Sequence, residues 1–319
     1  YTGSTGRYAR IFETAATEAA GPVAAVTTWS RGQGSQQMPT YAGVHEVSYN
    51  AANVYVRSTG LGAHIMGPWY LNSARTNLFP NYPANLELIY RIPRDPGQVP
   101  AVKALTGLGR IGLFVDGVSM FDSRDAFSYD TSAGEDDGPR GGGVNGDDVW
   151  NRDAYVNEGV TFDAGNAHQA GRHYHYHANP PGLRHLLGDN VDYIAATNTY
   201  TENFNGSHSP ILGWVRDGYP LYGPYGFSDA MDPDSGVTRM RSGFRQRNIS
   251  QRRALPAFAA RDQGYTVAGN TLEYTLPANR YGPDVTAGQG SQYEIGHYLE
   301  DYEYLGDLGF TQGTAFDLD

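Results

Sequence analysis

The chain has 319 residues, 39% of them hydrophobic and 18% charged, with a net charge of −11. That balance excludes phosphate-backbone binding, which needs clustered cations, so no nucleic-acid partner is expected. The absence of cysteine excludes disulfides, thiolate metal sites and thiol nucleophiles, and no run approaches the ~20 apolar residues of a membrane-spanning helix.

Gly 41, Pro 18 and Tyr 24 are high counts. They suit a turn-rich, mainly β protein and disfavour a helical bundle. The expectation is a single large β-sandwich-like domain with long Gly/Pro-rich loops and a few short helices. Residues 1–40, rich in Ala, Thr, Gly and Ser, read as an N-terminal arm or extension, although "PVAAVTTW" has strand character. Residues 41–319 read as the domain itself. The opening Tyr1 fits a processed, secreted chain, extracellular or periplasmic.

From Tyr41 the pattern sharpens. "HEVSYN", "NVYVRSTG" and "LELIYRIP" combine β-branched and aromatic residues bounded by Asn, Gly and Pro, which predicts three strands. "RIGLFVDGVSMFD" (110–122) predicts a hairpin turning at Asp116-Gly117. Residues 123–148 read as an acidic, Gly-rich loop. Its pairs Asp136/Asp137 and Asp147/Asp148 are candidates for Ca²⁺, although their spacing matches no 12-residue calcium loop and a solvated loop explains them better.

"AGRHYHYHANPP" (170–181) follows. Nine histidines spread evenly over the chain would put fewer than one in any ten residues, yet His168, His173, His175 and His177 share one such window. On a strand, alternate side chains share a face, so His173, His175 and His177 point one way and Tyr174 and Tyr176 point into the core. Neutral imidazole is a common metal ligand. Three consecutive alternates reach too far for one ion, so two of them should bind with help from elsewhere. His168 is the nearest helper, folded back by a "QAG" turn, and His208 the next. Nitrogen ligation without Cys points to a divalent transition metal, with copper or zinc favoured. The competing explanation is a strand whose histidines merely meet water; four histidines in ten residues weigh against it.

"LRHLLGDN" predicts a short helix and "PILGWV" a buried strand, followed by a turn at Asp217-Gly218. Rigid Gly and Pro neighbours hold Asp217, a candidate catalytic or ligand-orienting carboxylate; an Asx turn accounts for it equally well. The stretch 239–262 carries seven arginines and partial helical character, and is expected to pair with the chain's own acidic loops or to bind an anion. Only one lysine, Lys103, accompanies 22 arginines.

"AHQAGRHYHYHANP", "SHSPILGWVRDGYPLYGPYGFSD" and "YLEDYEY", in that order, resemble the motifs of the YHYH-domain family of secreted proteins. The resemblance runs over roughly 45–319. It implies secretion and metal binding, and carries site positions to His168, Tyr174–His177, His208, Asp217–Pro224 and Asp301–Tyr304. Ala167 and Ser207 stand where the family has Gly, and His173 is an addition, so it ranks below His175 and His177. The family continues past "DLD", so further C-terminal residues are expected. The family supplies no established reaction. A metalloenzyme, a non-catalytic module of an extracellular assembly (a homo-oligomer included) and a carbohydrate- or polymer-binding domain all stay open, as does a small-molecule partner.

Overall fold

Period-two alternation builds the two sheets that matter here. In the computed structural model, which describes residues 6–97, 106–138, 146–268, 271–288 and 290–304, β1 (Val44–Tyr49), β2 (Asn53–Ser58) and β3 (Leu88–Pro93) form an antiparallel three-stranded sheet. β3 shows the alternation plainly: Leu88, Tyr90 and Ile92 are buried, Ile89 and Arg91 exposed.

The second sheet has six strands: β4 (Arg110–Phe114), β5 (Ser119–Phe121), β6 (Ala167–Ala170), β7 (His173–Tyr176), β8 (Ile211–Val215) and β9 (Pro220–Tyr222). Their order is β6–β7–β5–β4–β8–β9, antiparallel except where β7 runs parallel to β5. Val56, Leu88, Tyr90 and Ile92 of the first sheet pack on Leu113 and Trp214 of the second. The mainly β, sandwich-like expectation therefore holds. So does the hairpin at Asp116-Gly117. Gly117 has φ +78°, and a Cβ there would lie 2.2 Å from Ser58 Oγ, so both the turn and the neighbouring sheet require glycine.

The other face of the six-stranded sheet covers the main core, where Leu61, Met66, Trp69, Phe114, Tyr174 and Tyr176 meet. The stretch expected to be an arm is woven into this core. Ala9, Ile11, Phe12 and Trp29 are buried, and Arg10–Ile11 pairs with Ile65–Met66. Burying Ile11 and Phe12 is favourable by roughly 1.5–3 kcal/mol each, which a solvated arm would forgo. Within "PVAAVTTW" the chain makes a 3₁₀ turn at Pro22–Ala24 instead, with Pro at the first turn, and only Trp29 enters a strand.

Three other expectations change. The "loop" at 123–148 contains strands Arg124–Asp130 and Glu135–Asp137, paired with each other and, through the first, with Asn151–Asp153; residues 139–145 lie outside the described residues. The helix expected within 249–262 is confined to Ala257–Asp262, because Ala254–Pro256 pairs with Glu273–Thr275 and Pro256 cannot sit inside a helix. The arginines of that region pair with the chain's own acids, but downstream ones: Arg245–Glu303, Arg247–Glu273, Arg252–Asp301 and Arg253–Asp284. Lys103 and residues 305–319 lie outside the described residues. The short helix predicted near "LRHLLGDN" is present as Pro181–Leu186.

Candidate metal centre

A two-residue turn at Gly171–Arg172 folds β6 against β7 and sets His168 directly opposite His175. Gly171 takes φ +61° there. Tyr174 and Tyr176 fill the core beneath, each 1% exposed, which forces His175 to the other face. His177 follows two residues on, past the strand end, its N–H donating to Asn166 O at 3.1 Å. The result is a group of three imidazoles whose ligand atoms all lie within 4.8 Å of one another. His177 Nε2 lies 2.8 Å from His175 Nε2 and 3.1 Å from His168 Nε2.

Hydrogen-bond partners fix two of the three tautomers. His175 Nδ1 faces a carbonyl, His173 O, at 2.9 Å, so Nδ1 carries the proton and Nε2 presents a lone pair. Thr161 donates its hydroxyl proton to Glu158 O at 2.7 Å. Its oxygen therefore accepts from His168 Nδ1–H at 2.7 Å, and His168 Nε2 also presents a lone pair. His177 Nδ1 is buried without a partner, which leaves its Nε2 free to join the other two. Nitrogens bound at about 2.0–2.1 Å to one ion stand about 2.9 Å apart at right angles and about 3.3 Å apart at the tetrahedral angle. The two separations that involve His177, 2.8 and 3.1 Å, fit that spacing.

Burial holds the cluster neutral. Desolvation takes His168 down to about 3, assisted by the charge His177 would carry, and His177 down to about 4. His175 is driven well below its ordinary value by burial and by His168 and His177. Phe121 stacks on His175 at 3.8 Å and Phe162 on His177 at 4.8 Å, closing the sides with apolar surface.

Sequence reasoning missed one donor. Glu158 ends the helix α1 (Ala154–Glu158), which Asp153 caps, and its carboxylate lies 3.3 Å from His177 Nε2 and 3.5 Å from His168 Nε2. Burial, with the neighbouring Asp125 charge, pushes it up to about 8 against the opposing pull of Arg152. Its side chain is 25% exposed, against 7% for His168 and 3% for His177, so the centre opens to solvent along Glu158. The only signal in the sequence was an acidic residue shortly upstream of His168.

The other predicted residues stand apart. His173 shares the face but binds Ser119 Oγ through Nε2 at 2.5 Å and packs edge-on against Phe121. His208 precedes β8, and β5 and β4 intervene between β8 and β7; at about 4.8 Å per strand that spacing puts it out of reach. It bonds Ser209 O and packs against Tyr222 and Phe227. Asp217 is exposed in the turn between β8 and β9. Asp301 is buried elsewhere, on Arg252. The acidic pairs weighed for Ca²⁺ do not converge: Asp136 bonds His297 and Tyr298, Asp147 bonds Thr131, and Asp148 lies 3.8 Å from Arg124. Among the described residues the three histidines are the only group of this kind.

The family model described as YHYH protein matches residues 89–317. No curated protein and no solved structure matches the chain.

Proposed function

The chain belongs to the YHYH protein family, and we propose that it is a secreted protein holding one divalent transition metal, copper or zinc, through His168, His175 and His177, with Glu158 as fourth donor. One observation carries this reading. Thr161 and the His173 carbonyl leave lone pairs on Nε2 of His168 and His175, and His177 Nε2 lies within 3.1 Å of both. A single proton on His177 can serve both lone pairs only poorly, and a cation satisfies all three nitrogens. Nitrogen-rich donors without sulfur suit copper(II) and zinc. Secretion rests on the family resemblance.

A bound ion of this kind supplies Lewis acidity or, if copper, one-electron exchange. The chain's own contribution is geometric. Thr161 and the His173 carbonyl fix two rings, Phe121 and Phe162 exclude water from the sides, and Glu158 stands at the open side, protonated at pH 7 until an ion binds. That arrangement suits a metalloenzyme as well as a carrier, and the reaction is left unassigned.

The test is metal content. The full chain, loaded with copper or zinc and freed of excess, should retain about one equivalent by elemental analysis. His175→Ala and His177→Ala should retain none. Unchanged content in either variant, or no retention by the unmodified chain, overturns the assignment.

A further inference from the structure

A second concavity lies beside the histidine hairpin, between the two sheets. It has a volume of about 450 Å³, and Arg91, Arg110 and Arg216 line it together with Tyr90, Asn53 and Ile92. The three guanidinium groups come from separate elements: β3, the start of β4 and the residue after β8. Pairing of β4 with β8 brings Arg110 and Arg216 together, with Arg216 N–H donating to Ile111 O at 2.7 Å, and the packing of one sheet on the other adds Arg91. Arg110 lies over the Tyr90 ring at 5.7 Å, which restrains its fork.

Many other arginines of this acidic chain are answered by carboxylates, among them Arg152 by Asp125, Arg184 by Asp189 and Arg252 by Asp301. None of Arg91, Arg110 and Arg216 has a carboxylate within 4.0 Å among the described residues. Three like charges in one concavity repel one another unless an anion joins them, and arginine forks match tetrahedral oxyanions in a bidentate way. The cavity exceeds a bare oxyanion and falls in the range of small-molecule pockets. Tyr90 and Ile92 supply apolar surface for an organic portion.

We propose that this cleft binds a small organic ester of a tetrahedral oxyanion, phosphate or sulfate, of about monosaccharide size. The site goes beyond the metal reading and does not depend on it, so its test is run without added metal. Its floor is nevertheless tied to the hairpin: Tyr90 hydroxyl bonds Ser119 Oγ at 2.6 Å, and Ser119 bonds His173 Nε2 at 2.5 Å.

The experiment is calorimetric titration of the full chain with glucose 6-phosphate, glucose 6-sulfate and glucose. Saturable binding of at least one ester, weakened by added salt, with none for glucose, is expected. Arg91→Gln and Arg216→Gln, both exposed and free of structural partners, should each weaken it about tenfold or more, the usual cost of a charge-assisted hydrogen bond. Arg239→Gln with Arg261→Gln, which together remove twice the charge elsewhere, should leave it unchanged. Binding of both esters supports the shared oxyanion chemistry, and binding of one names the source. Absence of ester binding, equal binding of glucose, or equal loss from the remote pair overturns the proposal.

Discussion

Two buried histidine environments lie on opposite faces of β7, and they differ in what their nitrogens meet. Beneath the strand, His64 is 5% exposed and burial takes it down to about 4. Its Nε2 lies 3.1 Å from the Tyr174 hydroxyl and its Nδ1 3.3 Å from that of Tyr176. Those hydroxyls donate to Asp163 and Asp116, each at 2.9 Å, which burial raises to about 6. One His64 nitrogen donates to a tyrosine hydroxyl, both tyrosines donate onward to aspartates, and no imidazole nitrogen there faces another. Above the strand, His168 and His177 are depressed just as far, yet their Nε2 atoms face other Nε2 atoms. Burial and a lowered pKa are common to both faces. Convergent lone pairs set the upper face apart as a binding centre and leave the lower face a structural one.

The sharpest way to break this comparison is to remove one histidine from each face. His175→Ala should lose retained metal entirely, while His64→Gln should keep about one equivalent per chain. The stabilities should run the other way. His64→Gln leaves the buried Tyr174 and Tyr176 hydroxyls short of a partner, lowering the unfolding free energy by about 1–3 kcal/mol in chemical denaturation of the metal-free protein. His175→Ala should cost the metal-free protein less, because it removes crowded lone pairs. If His64→Gln also empties the centre, the two faces act as one unit and the distinction fails.

Much of the upper face was legible in the sequence because it is local. Tyrosine in and histidine out is strand periodicity, and a glycine after "QA" announces the turn that brings His168 across to His175. His173 satisfied the same periodicity and still fell outside, because Ser119 arrives from β5, a strand paired only in the folded chain. His208 matched the family's motif, but sheet order, not motif order, decides distance. Glu158 was invisible for the converse reason: a five-residue helix and a 3₁₀ turn swing it back over the hairpin, and no periodicity encodes that path. On the lower face Tyr174 and Tyr176 were legible as core, while their partners Asp116, Asp163 and His64 come from three separate loops.

Glu158 sharpens the comparison next, because it lies against the imidazoles themselves, whereas Asp116 and Asp163 of the lower face bond the tyrosines. Raised to about 8 by burial and Asp125, it carries its proton at pH 7. A metal needs its carboxylate, so binding at pH 7 should release about one proton, read from calorimetry in buffers of different ionisation enthalpy. The sign follows: affinity falls as pH falls below about 8, by about tenfold per unit. The imidazoles add little to that slope until pH nears 4, where His177 begins to protonate. Glu158→Gln should abolish the proton release, flatten the profile between roughly pH 5 and 7.5 and weaken binding at pH 7 by about tenfold. A profile in Glu158→Gln that keeps the original slope would show that another group supplies the proton.

Thr161→Val probes the finest difference, the choice of tautomer. Valine preserves the shape and removes the oxygen that accepts from His168 Nδ1–H at 2.7 Å. The ring then has no reason to keep its proton on Nδ1, and the alternative tautomer places an N–H where the lone pair should be. Partners that orient a ligand ring are worth about tenfold in metal affinity, so a loss of that size with unchanged stoichiometry is expected. The corresponding test on the lower face, Tyr174→Phe, removes an oxygen from His64 in the same way and should leave metal affinity where it was, because His64 Nε2 faces no other imidazole. Equal losses in the two variants would mean that ring packing, chiefly the stacking of Phe121 and Phe162, orients the ligands and that the hydrogen bonds follow from it.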